Sequence, residues 1–181
     1  MSRTRVLLVG DDATAWALGC LLVRAGVQVD CVPHVLGEAD DACAPRFPLA
    51  LRFPALELLD GLGLGEHLRA RGTPLARAEI VDRGARKVTF EGRVPSHLCP
   101  GTAYDTPLLL DPGELAASLR ERFLDLGGRV VEAAMLGAIA SDQRGVHVAL
   151  THEGGARVTQ RCAFVVDTTG VPFGSAELRG Q

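Results

Sequence analysis

The sequence has almost no lysine: Lys87 is the single lysine among 19 basic residues, and the arginines are scattered along the chain. The net charge is −3 at pH 7, and the isoelectric point is near 5.9. Binding to nucleic acid or to an anionic membrane needs a concentrated basic surface, and no basic run is present. The charge pattern therefore argues against both partners.

The sequence also lacks the patterns of disulfide-rich, metal-binding and membrane proteins. Its 5 cysteines are odd in number, spread over the chain and without a CxxC pair, which favours reduced, buried thiols and no metal site. The longest apolar stretch, Ala13–Val23, is interrupted by Thr14 and is shorter than the roughly 20 residues that a membrane span needs. The acidic pair Asp11-Asp12 interrupts any signal peptide. We therefore expect a cytoplasmic protein.

What is present at the N-terminus predicts a strand–helix–strand unit. Arg5–Val9 is a short run rich in Val and Leu that Gly10 follows at once, which is typical of a buried parallel strand. Ala13–Ala25 is rich in Ala and Leu and is followed by Gly26, which predicts a helix with a glycine cap. A second strand is expected at residues 27–32.

The remaining pattern completes an α/β fold. Apolar periodicity predicts further helices at residues 54–62, 66–71 and 112–126. Short strands are expected at residues 78–80, 87–90, 103–110 and 129–132, and an antiparallel meander at 135–141, 146–152 and 158–164. The predicted fold class is α/β, a Rossmann-like FAD/NAD(P)-binding domain with a parallel sheet, a three-stranded meander and a small β insertion. Residues 1–76 and 111–181 would form the nucleotide-binding part, and residues 77–110 the insertion.

The loop after the first strand matches a dinucleotide-binding loop only in part. A helix N-terminus binds a diphosphate through unpaired N–H groups and its partial positive charge. Gly10 and Ala15 fit the first and last positions of the pattern G-x-G-x-x-G/A. Asp12 replaces the middle glycine, and Ala13 is the residue after it. A carboxylate about 5 Å from a phosphate costs roughly 3 kcal/mol at an effective dielectric of ~20, or about two orders of magnitude in affinity.

The second strand should be followed by an acid that binds the ribose hydroxyls. Here it ends Val32-Pro33-His34, so His34 stands where the acid is expected. A neutral imidazole can accept one hydrogen bond but not two. This replacement also weakens the dinucleotide motif.

Several segments together resemble FAD-dependent monooxygenases of the aromatic hydroxylase type and the related halogenases and reductases. The segments that carry the resemblance are Arg5–Gly10, Leu21–Val29, Phe53–Leu64, Gly113–Gly128 and Cys162–Gly170. They occur in the family's order and with its spacing, from Arg5 to about Ser175 of this chain. The resemblance implies flavin-based oxygen transfer to a small organic substrate, aromatic or polyketide, with NAD(P)H or a partner reductase supplying electrons.

The resemblance also implies which residues contact FAD. These are Gly10, Asp12, Ala13, Ala15 and His34 in the N-terminal unit, with Asp167 and Gly170 as the ends of a "D-A-T-G"-like turn. Pro112 departs from the family, because an arginine commonly begins that helix. No catalytic residue can be assigned, and His147 and His152 are expected to face solvent.

Two functions of different classes fit these residues. The first is an FAD-dependent oxidoreductase of the monooxygenase type, an N-terminal fragment or split half that a homodimer or a complementing polypeptide completes. The second is a flavin-free pseudoenzyme that acts as an interaction module or as a cofactor-independent biosynthetic helper. Asp12, His34 and Pro112 favour the second function, whereas the intact strand–helix–strand pattern favours the first.

Overall fold

The computed structural model describes residues 4–33, 48–82, 84–91, 103–132, 135–152 and 154–169. The helices are α1 (Ala13–Arg24), α2 (Phe53–Gly61), α3 (Gly65–Arg71) and α4 (Pro112–Asp125). The first strands are β1 (Arg5–Val9), β2 (Gln28–Val32), β3 (Leu49–Leu51), β4 (Thr73–Pro74), β5 (Arg77–Asp82) and β6 (Ala85–Glu91). The later strands are β7 (Leu108–Leu110), β8 (Arg129–Val130), β9 (Met135–Asp142), β10 (Gly145–Thr151), β11 (Arg157–Cys162) and β12 (Phe164–Asp167).

The chain divides into two compact units. The first combines Met1–Ala44 with Ala116–Gln181, and the second is Pro45–Leu115. The three-segment division expected from the sequence, with boundaries after residues 76 and 110, stays a prediction.

The first unit is built on a parallel sheet with the strand order β12-β1-β2-β8. In the register of this sheet, Leu7 of β1 lies beside Asp30 of β2 on one side and Val165 of β12 on the other. The predicted β1–α1–β2 unit and the α/β fold class are confirmed. Strand β1 is central and apolar, and Leu7, Leu8 and Val9 are fully buried as the sequence run required.

Each face of this sheet has its own cover. Leu7 and Val32 belong to one buried cluster with Val148 and Leu150 of the antiparallel meander β9–β10–β11. On the other face, Leu8 lies next to α1 at Gly19. Successive residues of a strand point to opposite faces, so Leu7 packs on the meander side and Leu8 on the α1 side.

Helices α1 and α4 meet through one aromatic contact and one glycine. The rings of Trp16 and Phe123 are 5.6 Å apart between centroids, and both side chains are buried. A Cβ placed on Gly19 would lie 2.9 and 3.0 Å from two Phe123 ring carbons, so Gly19 leaves the space that the ring fills. Both aromatic residues are therefore core residues.

The second unit holds further antiparallel strands. Strand β7 lies between β3 and β4 in a three-stranded sheet, and β5 pairs with β6 in a hairpin. The strand expected at residues 103–110 is wrong in length, because only Leu108–Leu110 are paired. Strands β3 and β4 were not predicted, because segments of three and two residues are too short to show alternation.

Candidate functional site

The turn after β1 has the backbone that the motif requires. Gly10 has φ +145°, a conformation that residues with a side chain rarely adopt, and its N–H donates to the carbonyl of Val32 at 3.1 Å. Its own carbonyl accepts from the thiol of Cys31 at 3.5 Å. The turn is therefore hydrogen-bonded to the end of β2, and α1 begins soon after it.

Asp12 is the N-cap of α1. Its Oδ1 accepts from the backbone N–H of Ala15 at 2.8 Å, and its own backbone is extended (φ −96°, ψ 172°). An N-cap aspartate satisfies one of the four unpaired N–H groups and places a negative charge at the positive end of the helix. Asp12 therefore uses an N–H at the helix start that would otherwise be free to bind a phosphate.

Thr168 covers the same turn from the neighbouring strand. Its N–H and its hydroxyl both reach the carbonyl of Val9, at 3.0 and 3.1 Å, and its Oγ1 is also 3.4 Å from Oδ1 of Asp12. A Cβ on Gly10 would collide with this hydroxyl. Sequence reasoning did not single out Thr168. The position of Thr168 opposite Gly10 follows from the pairing of Val9 with Asp167, a strand register that the structure gives.

Asp11, the other acid of the pair, is engaged elsewhere. Its Oδ1 accepts from the indole N–H of Trp16 at 3.1 Å. The guanidinium of Arg120 lies 5.8 Å from the centre of the Trp16 ring. The two aspartates therefore have different roles: Asp11 orients the buried tryptophan, and Asp12 caps the helix.

The predicted cofactor residues are brought together only in part. Gly10, Asp12, Ala13 and Ala15 lie in one loop and helix start, and Asp167 ends the adjacent strand β12 at the same edge of the sheet. His34 and Gly170 lie outside the described residues. The assignment of these residues to a cofactor stays a prediction.

Asp167 is engaged in a turn of its own. Its Oδ1 accepts from the N–H of Thr169 at 2.8 Å and from the hydroxyl of the same residue at 2.7 Å. These bonds fix the exit of the chain from β12. The carboxylate therefore serves local backbone geometry at the sheet edge.

The end of β2 carries no acid in the described chain. The residue that directly follows the strand is Pro33, which has neither a carboxylate nor an N–H. The one acid of β2, Asp30, is buried and accepts two 2.8 Å hydrogen bonds from Arg129 of β8. Gln160 of β11 donates to the same carboxylate. Asp30 therefore joins the sheet to the meander.

The buried thiols are poor nucleophiles. Cys20, Cys31 and Cys162 are free and buried. Burial raises the pKa of Cys20 to about 11 and that of Cys31 to about 12, with Asp11 adding to the effect at Cys31. Thiolate is the reactive form, so these side chains stay protonated and unreactive at neutral pH. Cys43 and Cys99 lie outside the described residues.

The two histidines of the meander have local partners. His147 Nε2 is 3.2 Å from Asp142 Oδ2, and its side chain is 35% exposed. Hydrogen bonding from the Arg144 N–H lowers the pKa of Asp142, and His147 contributes to the same shift. His152 Nδ1 is 2.7 Å from the carbonyl of Glu132. Neither histidine lies in the loop at the start of α1.

One cavity of the first unit lies at the opposite, amino end of the parallel strands. Its volume is about 390 Å³, and it is lined by Thr4, Arg5, Gln28, Arg144, Arg161, Cys162 and Ala163. Because the motif residues lie at the carboxyl end of β1, this cavity is not the dinucleotide site. Within the described residues, no group of three or more acidic, histidine or cysteine side chains is arranged for a metal ion.

The architecture and the loop together define a class of protein, a dinucleotide-type domain with a parallel sheet, a meander and a Gly10 turn. A family model for the FAD binding domain matches residues 3–172. The chain belongs to this FAD-binding-domain family, and the resemblance drawn from its motifs is confirmed. None of the helices in the described ranges has the length and hydropathy needed to cross a bilayer.

Similar proteins include several monooxygenases. The chain is 32% identical over 126 residues to 6-methylpretetramide 4-monooxygenase of Streptomyces rimosus. The aligned region covers 68% of this chain and 21% of that enzyme. Among solved structures, p-nitrophenol 4-monooxygenase PnpA from Pseudomonas putida DLL-E4 is similar with a TM-score of 0.72 and 21% identity, over 93% of this chain and 41% of that one. The anhydrotetracycline hydroxylase OxyS from Streptomyces rimosus also has a TM-score of 0.72, with 25% identity over 93% of this chain and 32% of that one.

This chain spans about a fifth of the length of the curated relative, 21% of that enzyme.

The fit of the family's cofactor can be tested against the folded loop. The backbone fits, because Gly10 makes the turn and α1 follows it. The side chain at the middle position of the motif does not fit, because Asp12 already holds the N–H of Ala15. In this conformation the loop does not accept the diphosphate of FAD.

Proposed function

We propose that the protein is the nucleotide-binding part of a monooxygenase-type, FAD-dependent oxidoreductase whose loop binds FAD weakly. The observation that carries the proposal is the β1–α1–β2 unit with Gly10 at φ +145° in a chain of the FAD-binding-domain family. A flavin must displace the Asp12 carboxylate from the Ala15 N–H before its diphosphate can bind there. That displacement makes the affinity of the isolated chain low.

The proposed substrate class is a polycyclic aromatic compound of polyketide type. It is supported by the 32% identity to an enzyme named for 6-methylpretetramide and by the likeness to an anhydrotetracycline hydroxylase. NAD(P)H or a partner reductase would supply the electrons. A homodimer or a complementing polypeptide would complete the substrate side.

A second candidate function is a flavin-free relative that acts as an interaction module or a cofactor-independent biosynthetic helper. The specific observation in its favour is the Asp12–Ala15 hydrogen bond of 2.8 Å at the diphosphate position. The lack of an acid at Pro33 also favours it, because the ribose hydroxyls lose their acceptor. The two candidates share the fold and differ in the cofactor alone.

A flavin titration distinguishes the two candidates. The purified chain is titrated with FAD up to about 1 mM while flavin fluorescence is followed, because binding as weak as about −4 kcal/mol, a Kd near 1 mM, is then still detected. Saturable quenching that Gly10→Val abolishes supports the oxidoreductase. Gly10→Val is a suitable control because a side chain there collides with Thr168 and strains the φ of +145°.

The absence of quenching over the whole range would exclude an FAD-dependent role for this chain on its own. Repeating the titration with a complementing polypeptide then tests the completed form. If that mixture also fails to bind FAD, the flavin-free candidate replaces the oxidoreductase.

A further inference from the structure

We propose that the Asp12 carboxylate closes the diphosphate position of this domain as an internal anion, and that the Thr168 hydroxyl helps to hold it there. The inference rests on the proposed function in one respect: it takes the loop as the family's dinucleotide loop. It goes further by naming the side chain of this chain that excludes the ligand and the residue that contacts it. That residue, Thr168, directly follows β12, and it is 156 residues from Asp12 in sequence.

The first half of the closure is electrostatic. A helix N-terminus offers a partial positive charge and a few free N–H groups, which favour one anion. Asp12 supplies that anion from within the chain, through the 2.8 Å bond to the Ala15 N–H. An incoming phosphate must therefore compete for the same N–H and also tolerate a carboxylate beside it.

The second half of the closure is positional. In the motif the first glycine makes the tight turn, and the middle glycine lets the backbone approach the diphosphate. Asp12 stands at that middle position, and the Thr168 hydroxyl lies 3.4 Å from its Oδ1. The space that a middle glycine would leave open therefore holds a carboxylate that contacts both the Ala15 N–H and the Thr168 hydroxyl.

The two halves are linked through one proton. The Thr168 hydroxyl has a single hydrogen and two acceptors within reach, the Val9 carbonyl at 3.1 Å and Asp12 Oδ1 at 3.4 Å. Removing the Asp12 side chain removes the charge and frees the Ala15 N–H. Removing the Thr168 hydroxyl leaves both the charge and the Ala15 bond in place. The Asp12 side chain is therefore the main element of the closure.

The experiment measures ADP binding by calorimetry to the full chain, because ADP is the diphosphate portion that FAD and NAD(P)H share. Asp12→Gly is expected to tighten ADP binding about 100-fold, from the charge repulsion at ~5 Å. Thr168→Ala alone is expected to change it less than about 3-fold, because the Asp12 carboxylate and its bond to Ala15 remain.

Two controls separate the position from general effects. Asp11→Gly removes the same charge from the same loop, but its carboxylate is bonded to the Trp16 indole instead of the helix start. It should tighten ADP binding less than about 3-fold, because it leaves the Ala15 N–H occupied. Asp12→Asn keeps a good N-cap and removes the charge, so it covers the case in which Asp12→Gly does not fold, with about a 10-fold gain expected.

The outcomes are distinct from those of the FAD titration. Tighter ADP binding by the Asp12 variants with no FAD binding by any form supports the closure and removes the flavin function. FAD binding by the wild type with no gain in ADP affinity from folded Asp12→Gly or Asp12→Asn keeps the flavin function and overturns the closure. An equal gain from Asp11→Gly also overturns it, because charge alone would then explain the effect.

Discussion

Substituting Gly19 by alanine tests the contact between α1 and α4. In an exposed helix, glycine to alanine stabilises by about 0.5–1 kcal/mol. At Gly19 the added Cβ would lie 2.9 and 3.0 Å from Phe123 ring carbons and 3.3 Å from Leu8 Cδ1, well inside ordinary van der Waals contact. Such overpacking costs about 1–3 kcal/mol, so sterics and propensity oppose each other.

The steric cost is expected to prevail because the Phe123 ring cannot move away. It is fully buried, it packs against Trp16 in a tilted arrangement, and a Cβ on Gly128 would also overlap it. The ring is thus confined on both sides. We expect Gly19→Ala to lower the free energy of unfolding by about 1–2 kcal/mol, with a fall in Tm of roughly 2–4 °C for each kcal/mol.

A matched control lies in α2. Gly61 ends that helix, is exposed, and a Cβ there would meet nothing within 4 Å, so Gly61→Ala should be neutral or stabilise by up to about 0.5 kcal/mol. Urea unfolding followed by tryptophan fluorescence suits the test, since Trp16 is the single tryptophan and it touches Phe123. A Gly19→Ala protein as stable as the wild type would refute the packing argument.

Two further predictions concern pH and the buried carboxylate. Below pH 9 the thiols of Cys20 and Cys31 are protonated in both states, and between pH 9 and about 11 only the unfolded chain loses these protons, so stability falls as pH rises. The free energy of unfolding is expected to fall by about 1.4 kcal/mol per pH unit for each thiol. Urea unfolding of Cys31→Ala between pH 8 and 10.5 should show a smaller fall with pH than the wild type. An identical fall in the two proteins would contradict the burial of that thiol. Arg129→Met should cost about 1–2 kcal/mol, because Asp30 loses two charged hydrogen bonds, although the exposed arginine and the remaining Gln160 bond moderate the loss. Arg157→Met, at an exposed position of β11, is the control, and equal losses in the two variants would show that the Asp30 contact contributes nothing.

The parts of the fold that the sequence predicted correctly are those with local signals. The apolar run before Gly10 and the Ala- and Leu-rich segment before Gly26 fixed β1 and α1 to within a residue. The meander was visible because its strands alternate and its turns carry glycines. The paired segments β3 and β4 left no such signal, since their partner β7 lies more than 30 residues downstream of both.

The candidate site was predictable in its charge but not in its geometry. Asp12 in place of a glycine could be read from the motif alone. The cover formed by Thr168 could not, because it depends on which strand lies beside β1 and in which register. The role of Asp30 was hidden for the same reason: its partners Arg129 and Gln160 come from two distant strands.

The position of β1 between β2 and β12 has a consequence for how the polypeptide can be divided. Residues 5–9 lie against residues 164–167, so one edge of β1 has no neighbour until β12, which follows the meander, has been synthesised. A polypeptide cut anywhere before residue 164 would display a row of unpaired amide and carbonyl groups beside fully apolar side chains, the arrangement that drives strand-to-strand aggregation. Any expression strategy that works with shorter pieces must therefore keep both of these segments, or return the second one as a separate peptide.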